Sequence, residues 1–314
     1  MIAVGGEQEA PKLNYYRTLT ASGRDSLRLI IESGALQDRV FLLPDFLCDV
    51  VTKTLHEYQI QCRYYTVAAD LSFELGPMHD NEVVYVVNYF GQQHPGIMAT
   101  LKNHTVIVDD VFSPFPQIVT AVASWYSFNS LRKISPLVDG SLLYSSHPLS
   151  EQRIQLAVGS DFTQQKARAK HKKFDFIHHG TGCEEDYLTL FVAAETLLNN
   201  RQSILSMSIA SQLAFAEFCV TLAYERQIRQ QNYDLICQLL PEKIMPIHSD
   251  FYSFAPLLLN NRDAIKQHLM AQRVFLPVHW PGPSVLSQRI LSIPVDSRYS
   301  SQELTVICNL ISPP

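Results

Sequence analysis

The sequence lacks long apolar runs, an excess of basic residues and closely spaced cysteines. None of its apolar runs approaches the roughly 18 residues that a membrane-spanning helix needs, so we expect no membrane association. Lys and Arg total 25 against 30 for Asp and Glu, which leaves a net charge of −5. That balance argues against a nucleic-acid-binding protein, because phosphate contacts need a basic surface.

The six cysteines form no Cys-x-x-Cys pair, so neither a zinc site nor a redox motif is indicated, and we expect no bound metal. The first eleven residues are polar and show no apolar leader segment. We therefore interpret the cysteines as reduced thiols and expect a cytoplasmic protein.

The 314 residues are 46% apolar, which is enough to build a sizeable core. Short apolar runs alternate with helical patterns through the first half of the chain. Helices are predicted at residues 24–32, 45–58 and 97–101, and strands at 40–44, 63–67, 83–87, 105–108, 125–128 and 141–145. This alternation predicts an α/β fold with a mostly parallel sheet and helices on both faces.

Helical patterns dominate from residue 184 onward. Ser208 is a candidate N-cap, and Glu225 and Arg229 form an i,i+4 pair on a long amphipathic helix. Helix and strand alternate again near the end. We predict a large domain at residues 1–180 and a smaller C-terminal α+β domain at residues 181–314.

Ligands of parallel sheets bind beyond the carboxyl ends of the strands, and polar residues collect there in this sequence. They are Asn88, Asp109, Asp110, Ser127, Ser130, Arg132 and Lys133. Ser22 and Gly23 precede the first helix, whose free N–H groups favour a phosphate. The set suits pyridoxal phosphate (PLP), which needs a phosphate site, a carboxylate for its ring nitrogen and a lysine for its aldehyde. Each feature alone also fits a turn or a helix cap, so the residues by themselves leave this open.

Taken in order, several segments resemble the DegT/StrS-type family, the PLP-dependent sugar aminotransferases of fold type I. These segments are 22–27 (SGRDSL), 43–46 (LPDF), 88–92 (NYFGQ), 106–110 (VIVDD), 127–133 with 139–140, 277–281 (PVHWP) and 291–294 (LSIP). The resemblance spans about residues 20–145 and 220–312. It implies a fold type I aminotransferase-like architecture and a homodimer.

The resemblance also implies roles for individual residues. Lys133 would be the Schiff-base lysine and the acid/base group, and Asp110 would pair with the ring nitrogen. The cofactor-binding residues would be Gly23, Arg24, Cys48, Asn88, Asp110, Ser127, Ser130 and Lys133. Among these, Gly23 and Arg24 would hold the phosphate with a hydroxyl of Ser127 or Ser130, and a side chain at 46–48 would cover one ring face. His279 and Trp280 would lie on the substrate side.

The sequence departs from the family pattern at several points. Counting from Ser127, the lysine position falls on Arg132; counting back from Asp139 and Gly140, it falls on Lys133. We choose Lys133, because an arginine stays protonated and cannot form the imine. The family's Gly-Tyr-Asn-x-Arg-Met segment is not recognisable, and residues 178–180 occupy roughly its place. The basic run at 166–173 is interpreted as a solvated face rather than as a patch for a nucleotide diphosphate.

The resemblance implies an aminotransferase that moves an amino group from a small-molecule donor such as glutamate to a keto sugar. The acceptor would be nucleotide-linked and used for surface polysaccharide biosynthesis. One alternative keeps PLP but changes the reaction, for example to a sugar dehydratase. The other is a degenerate, non-catalytic family member that acts as a binding or scaffold protein.

Overall fold

A seven-stranded sheet lies at the centre of the structure, a computed structural model that describes residues 13–157 and 160–312. The polar segment at residues 1–11 lies outside these ranges. The strands are β1 (Tyr16–Thr20), β2 (Val40–Pro44), β3 (Cys62–Tyr65), β4 (Glu82–Val87), β5 (Thr105–Asp109), β6 (Ser124–Phe128) and β7 (Ser141–Ser145). Their order is β1-β7-β6-β5-β4-β2-β3, and β7 pairs antiparallel with both of its neighbours. The other pairs are parallel, which confirms the predicted mostly parallel sheet.

The first helices connect these strands. They are α1 (Gly23–Ser33), α2 (Asp49–Glu57) and α3 (Pro95–Thr100). Ser22 caps α1 by accepting a hydrogen bond from the Asp25 N–H. The helix predicted at 45–58 begins only at Asp49 because Asp45 is held in the extended chain. Its N–H donates to the Tyr65 carbonyl at 2.9 Å, and its carboxylate accepts from the Val67 N–H at 2.9 Å.

The C-terminal half is mostly helical, with a two-stranded antiparallel sheet. Its helices are α4 (Asp161–His179), α5 (Glu184–Asn200), α6 (Ile209–Leu239), α7 (Arg262–Ala271), α8 (Val285–Arg289) and α9 (Ser301–Ile311), and its strands are β8 (Phe254–Leu258) and β9 (Ile290–Pro294). The predicted cap at Ser208 and the Glu225–Arg229 pair are both present, the latter at 3.0 Å. No helix within 13–157 and 160–312 combines the length and apolarity needed to cross a bilayer.

Helices α4 and α5 pack against each other as a hairpin, and α4 ends at Gly180 in the left-handed conformation. Most buried apolar residues form one cluster around the sheet. The hairpin has a small separate cluster of Phe162, Ala194 and Leu198. The predicted domain boundary near residue 180 falls at the turn of this hairpin and stays a prediction.

Candidate active site

A pocket lies where β5 and β6 end and α1 begins. Its described lining includes five of the eight predicted cofactor-binding residues, which are Gly23, Arg24, Cys48, Ser130 and Lys133. Asp109, Arg132 and Leu198 line it as well. The sheet topology explains the assembly, because the carboxyl ends of parallel strands meet at one edge.

Lys133 ends a single helical turn that follows β6. The Lys133 side chain is accessible to solvent, although many protein atoms surround it. Both are expected for a side chain that lines a cavity. Its Nζ lies 5.7 Å from the centre of the Phe112 ring. Burial lowers the pKa of Lys133, and the Arg132 charge lowers it further, whereas Cys48 and Asp109 oppose the shift. A lowered pKa increases the share of neutral amine, which is the form that attacks a carbonyl.

Two adjacent carboxylates at the end of β5 have different surroundings. Asp109 lines the pocket and accepts hydrogen bonds from the Tyr85 hydroxyl at 2.7 Å and the Val111 N–H at 3.1 Å. Burial raises the pKa of Asp109, and the nearby Lys133 charge opposes that rise.

Asp110 is not among the described residues that line the pocket. Its carboxylate accepts from the Asn88 amide at 2.5 Å, the Gln117 N–H at 2.5 Å and the Ser127 hydroxyl at 3.2 Å. Burial raises the pKa of Asp110 to about 6. Successive residues of an extended chain point to opposite sides, so Asp110 turns away from the pocket that Asp109 faces.

The sequence-based assignment of Asp110 to the ring nitrogen therefore does not agree with the geometry. Asp109 is the carboxylate available to a ligand in the pocket. Asn88 and Ser127, which we also selected, belong with Asp110 to a buried network beneath it.

Arg24 and Arg132 give the pocket lining positive charge. Arg24 lies in the first turn of α1, and its buried Nη1 has no hydrogen-bond partner among residues 13–157 and 160–312. Burial lowers the pKa of Arg24, and the neighbouring Arg132 lowers it further. Gly23 packs closely on β6, since a Cβ there would lie 3.1 Å from the Phe128 ring. An unpartnered guanidinium nitrogen, the Ser130 hydroxyl and a helix N-terminus make a site that fits a phosphate.

Arg132, the competing lysine position, is bound to the α4–α5 hairpin. Its Nη1 and Nη2 donate to the two carboxylate oxygens of Glu195 at 2.8 and 3.3 Å. Lys166 on α4 donates to the same carboxylate at 2.7 Å. Arg132 is therefore engaged in an ion pair, while Lys133 presents its amine to the cavity.

His279 and Trp280 lie in an aromatic cluster behind Lys133. The His279 ring is bounded by Phe90, Phe112, Phe254 and Trp280, and its Nδ1 lies 2.9 Å from the Ser292 hydroxyl. Burial lowers the pKa of His279 to about 3, with a contribution from the Lys133 charge. The ring therefore stays neutral beside the amine.

Trp280 is buried against Phe46 and Tyr89, with ring centres 5.0 and 5.7 Å away. Phe46 is likewise buried in the core. Of residues 46–48, Cys48 is the one that lines the pocket, so it is the side chain that could cover a ligand there.

The basic run at 166–173 lies on α4 and is largely engaged with the protein. Lys166 pairs with Glu195, and Lys172 pairs with Asp186 at 3.3 Å. Lys170 donates to the carbonyls of Pro136 and Leu137 at 2.7 and 2.8 Å. Burial lowers the pKa of Lys170 to about 8. The Lys166 and Lys172 pairs join α4 to α5, and the Lys170 contacts attach the hairpin to the loop that follows Lys133.

Among the described residues, no group of three or more His, Cys, Asp or Glu side chains is arranged to hold a metal ion.

Comparison with known proteins gives structural matches. No protein-family model matches the sequence, and no curated protein matches it significantly. A DegT DnrJ EryC1 StrS aminotransferase from Brucella abortus is 14% identical, with a TM-score of 0.63 over 94% of this chain and 85% of its own. DesI in the presence of its TDP-sugar product is 12% identical, with a TM-score of 0.63 over 94% and 79%. A proposed sugar aminotransferase from Streptococcus pneumoniae in its PLP form is 12% identical, with a TM-score of 0.64 over 94% and 86%.

At identities this low the structural likeness shows the fold alone, and the chain has the fold of the type I aminotransferases.

Proposed function

We propose that the protein is a PLP-dependent aminotransferase that moves an amino group from a donor such as glutamate to a keto sugar. The observation that carries the proposal is one pocket lined by Lys133, Asp109 and the unpartnered guanidinium of Arg24. An amine, a carboxylate and a phosphate-binding cation are the groups that PLP requires. The match to a structure in its PLP form supports the same cofactor.

Each residue of the pocket has a separate proposed role toward the cofactor. PLP, when bound, supplies an electron sink for bonds at the substrate's amine-bearing carbon. Lys133 Nζ would hold the cofactor at its aldehyde carbon, and its amine would carry protons between substrate atoms. The Asp109 carboxylate would hold the proton on the ring nitrogen. The Gly23 N–H, the Ser130 hydroxyl and the Arg24 guanidinium would bind the phosphate.

A groove beside the pocket supports a large acceptor. It has a volume of about 720 Å³, and its described lining includes Ser113 and Phe115, which follow the pocket residue Val111 in the chain. Arg226 and His248 add donors suited to phosphate oxygens. The structure of DesI in the presence of its TDP-sugar product supports a nucleotide-linked sugar as the acceptor. We propose that this sugar serves surface polysaccharide biosynthesis.

We further propose a homodimer in the cytoplasm. Large apolar side chains are exposed along α5 and α6, among them Val192, Ile209, Leu213 and Val220. Such side chains are typical of a surface that a partner covers. All six cysteines are unpaired, which suits a reducing compartment.

The proposal is tested by adding PLP to the purified protein. We expect a visible absorption band of lysine-bound PLP that Lys133→Ala abolishes and that Arg132→Ala retains. Glutamate should then convert the bound cofactor to its amine form and release 2-oxoglutarate. A band that survives Lys133→Ala would overturn the lysine assignment, and PLP binding without this half-reaction would favour a different PLP reaction such as sugar dehydration.

A non-catalytic binding protein is the second candidate. It is favoured by one observation, the arginine that stands at the family's lysine position when counted from Ser127. A protein that binds no PLP over the whole concentration range would support this candidate and contradict the aminotransferase.

A further inference from the structure

Glu195 on α5 is a carboxylate surrounded by cations at the edge of the pocket. It binds both Nη atoms of Arg132 and the Nζ of Lys166, and Arg24 also lies close enough to affect it. The side chains of Arg132 and Lys166 are 15% and 12% exposed, and that of Glu195 is 35% exposed, so the two cations lie mostly inside the protein and the carboxylate lies at its edge. Burial by itself would raise the pKa of Glu195, but Arg132, Lys166 and Arg24 outweigh it and hold the pKa below its usual value.

Several titratable groups face Lys133 from different elements. They are Arg132 on its own turn, Asp109 at the end of β5, Cys48 before α2, Glu195 on α5 and the neutral His279 in the segment before α8. Arg132 disfavours the protonated amine, whereas Asp109 and Glu195 favour it. Glu195 is the one that also binds the cation next to Lys133 in the chain.

We propose that Glu195 is a positioning residue for Lys133 that acts through Arg132. Its carboxylate holds the Arg132 guanidinium against the hairpin. The same negative charge offsets the positive charges of Arg132 and Lys166. Lys133 is thereby left as the amine that faces the cavity. The inference rests on the proposed function, because it assigns Lys133 and not Arg132 to the cofactor.

The same carboxylate ties the hairpin to the pocket. Leu198, one turn after Glu195 on α5, lines the cavity. Arg201, beyond the end of α5, donates to the Asp25 carboxylate in the first turn of α1 at 2.7 and 2.8 Å. The last turns of α5 therefore contact the pocket through Leu198, and the residue beyond α5, Arg201, contacts the first turn of α1.

The inference is tested on the full-length protein, freed of any bound cofactor, by competitive acetylation with acetic anhydride. Mass spectrometry of the Lys133 peptide gives the pH midpoint at which this amine becomes reactive. We expect Glu195→Gln to lower that midpoint by about one pH unit, because the Arg132 and Lys166 charges then act unopposed. Arg132→Met should raise it, and the double variant should lie between the two single variants.

Glu185→Gln is the matched control, since Glu185 is an exposed carboxylate on the same helix. We expect its midpoint to equal that of the unmodified protein. An unchanged midpoint in Glu195→Gln, or an equal shift in Glu185→Gln, would overturn the inference. A purely structural role would lower the melting temperature and leave the midpoint in place.

If Glu195→Gln does not fold, Arg132→Met still tests the inference, since an unchanged midpoint there would overturn it. The readout needs neither PLP nor activity. A protein that binds no PLP but shows the shift would contradict the proposed function and keep Glu195 as the residue that sets the reactivity of Lys133.

Discussion

The two sides of the pocket are built differently. The sheet side rests on a buried network in which Asp110 accepts three hydrogen bonds within the main core. The α4–α5 side is attached through ion pairs and lysine–carbonyl contacts and has a separate cluster of three apolar residues. Burial stabilises the first side, whereas the contacts of the second depend on charge and therefore on pH and salt.

The largest expected effect distinguishes the role of Asp109 from that of Asp110, the two carboxylates on the sheet side. Asp109→Asn should slow the glutamate half-reaction by about 10²-fold or more, because an amide does not hold the ring nitrogen's proton. Asp110→Asn should change the rate less and lower the free energy of unfolding by about 1–3 kcal/mol, because its amide would face the Gln117 N–H donor. Single-turnover absorbance and urea titration measure the two quantities. A larger rate loss in Asp110→Asn would restore the sequence-based assignment.

A matched pair of leucines compares packing on the two sides. Leu29 in α1 is fully buried against the sheet, whereas Leu188 in α5 is 49% exposed. Leu29→Ala should lower the free energy of unfolding by about 3 kcal/mol, and Leu188→Ala by less than about 0.5 kcal/mol. Chemical denaturation of both variants tests this. A comparable loss for Leu188→Ala would mean that this face of the hairpin is covered, as in the proposed dimer.

The contact between Arg201 and Asp25 links the two sides. Asp25 is fully buried, and Arg201→Met would leave its carboxylate with the Leu205 N–H and the Ser22 hydroxyl as donors. We expect a loss of about 2 kcal/mol in the free energy of unfolding. Lys172→Met, which removes a half-exposed pair elsewhere on the hairpin, should cost about 0.5 kcal/mol or less and is the control.

The smallest expected effect is a pH dependence that comes from Lys170. Its pKa is about 8 in the folded protein and about 10.4 when unfolded, so the cost of burying its charge is present in full below pH 8. That cost disappears as the pH rises from about 8 to about 10.4, so the protein should gain stability relative to Lys170→Met over that window. The difference between the two melting temperatures should change by about 2 °C. A difference that is constant with pH would show that Lys170 keeps its proton.

The strands were predictable where the chain is apolar and its ends are marked. β2 and β7 match the predicted residues, because Pro44 ends the first run and Gly140 precedes the second. β1 was missed, since its sequence mixes polar and apolar residues and its position depends on pairing with β7, far along the chain. The helix α4 was missed because it is mostly polar and depends on α5 for its packing.

The sequence predicted part of the pocket lining, and the roles of the lining residues stay predictions. Lys133, Arg24 and Ser130 could be selected from the sequence because each follows a strand or begins a helix, and all three line the pocket. The choice between Asp109 and Asp110 depends on where β5 stops, since a shift of one residue reverses the direction of a side chain. The contact between Glu195 and Arg132 could not be predicted, because the two residues are 63 positions apart and only the folded chain brings them together.

Leu198 is shared between the cavity lining and the three-residue cluster of the hairpin. A molecule that fills the cavity therefore adds contacts to this cluster. Because the cluster has so few residues, one new neighbour raises the local stability of α5 appreciably. Slower amide exchange along α5 should accompany occupancy, which would make this helix an internal reporter of whether the cavity is filled.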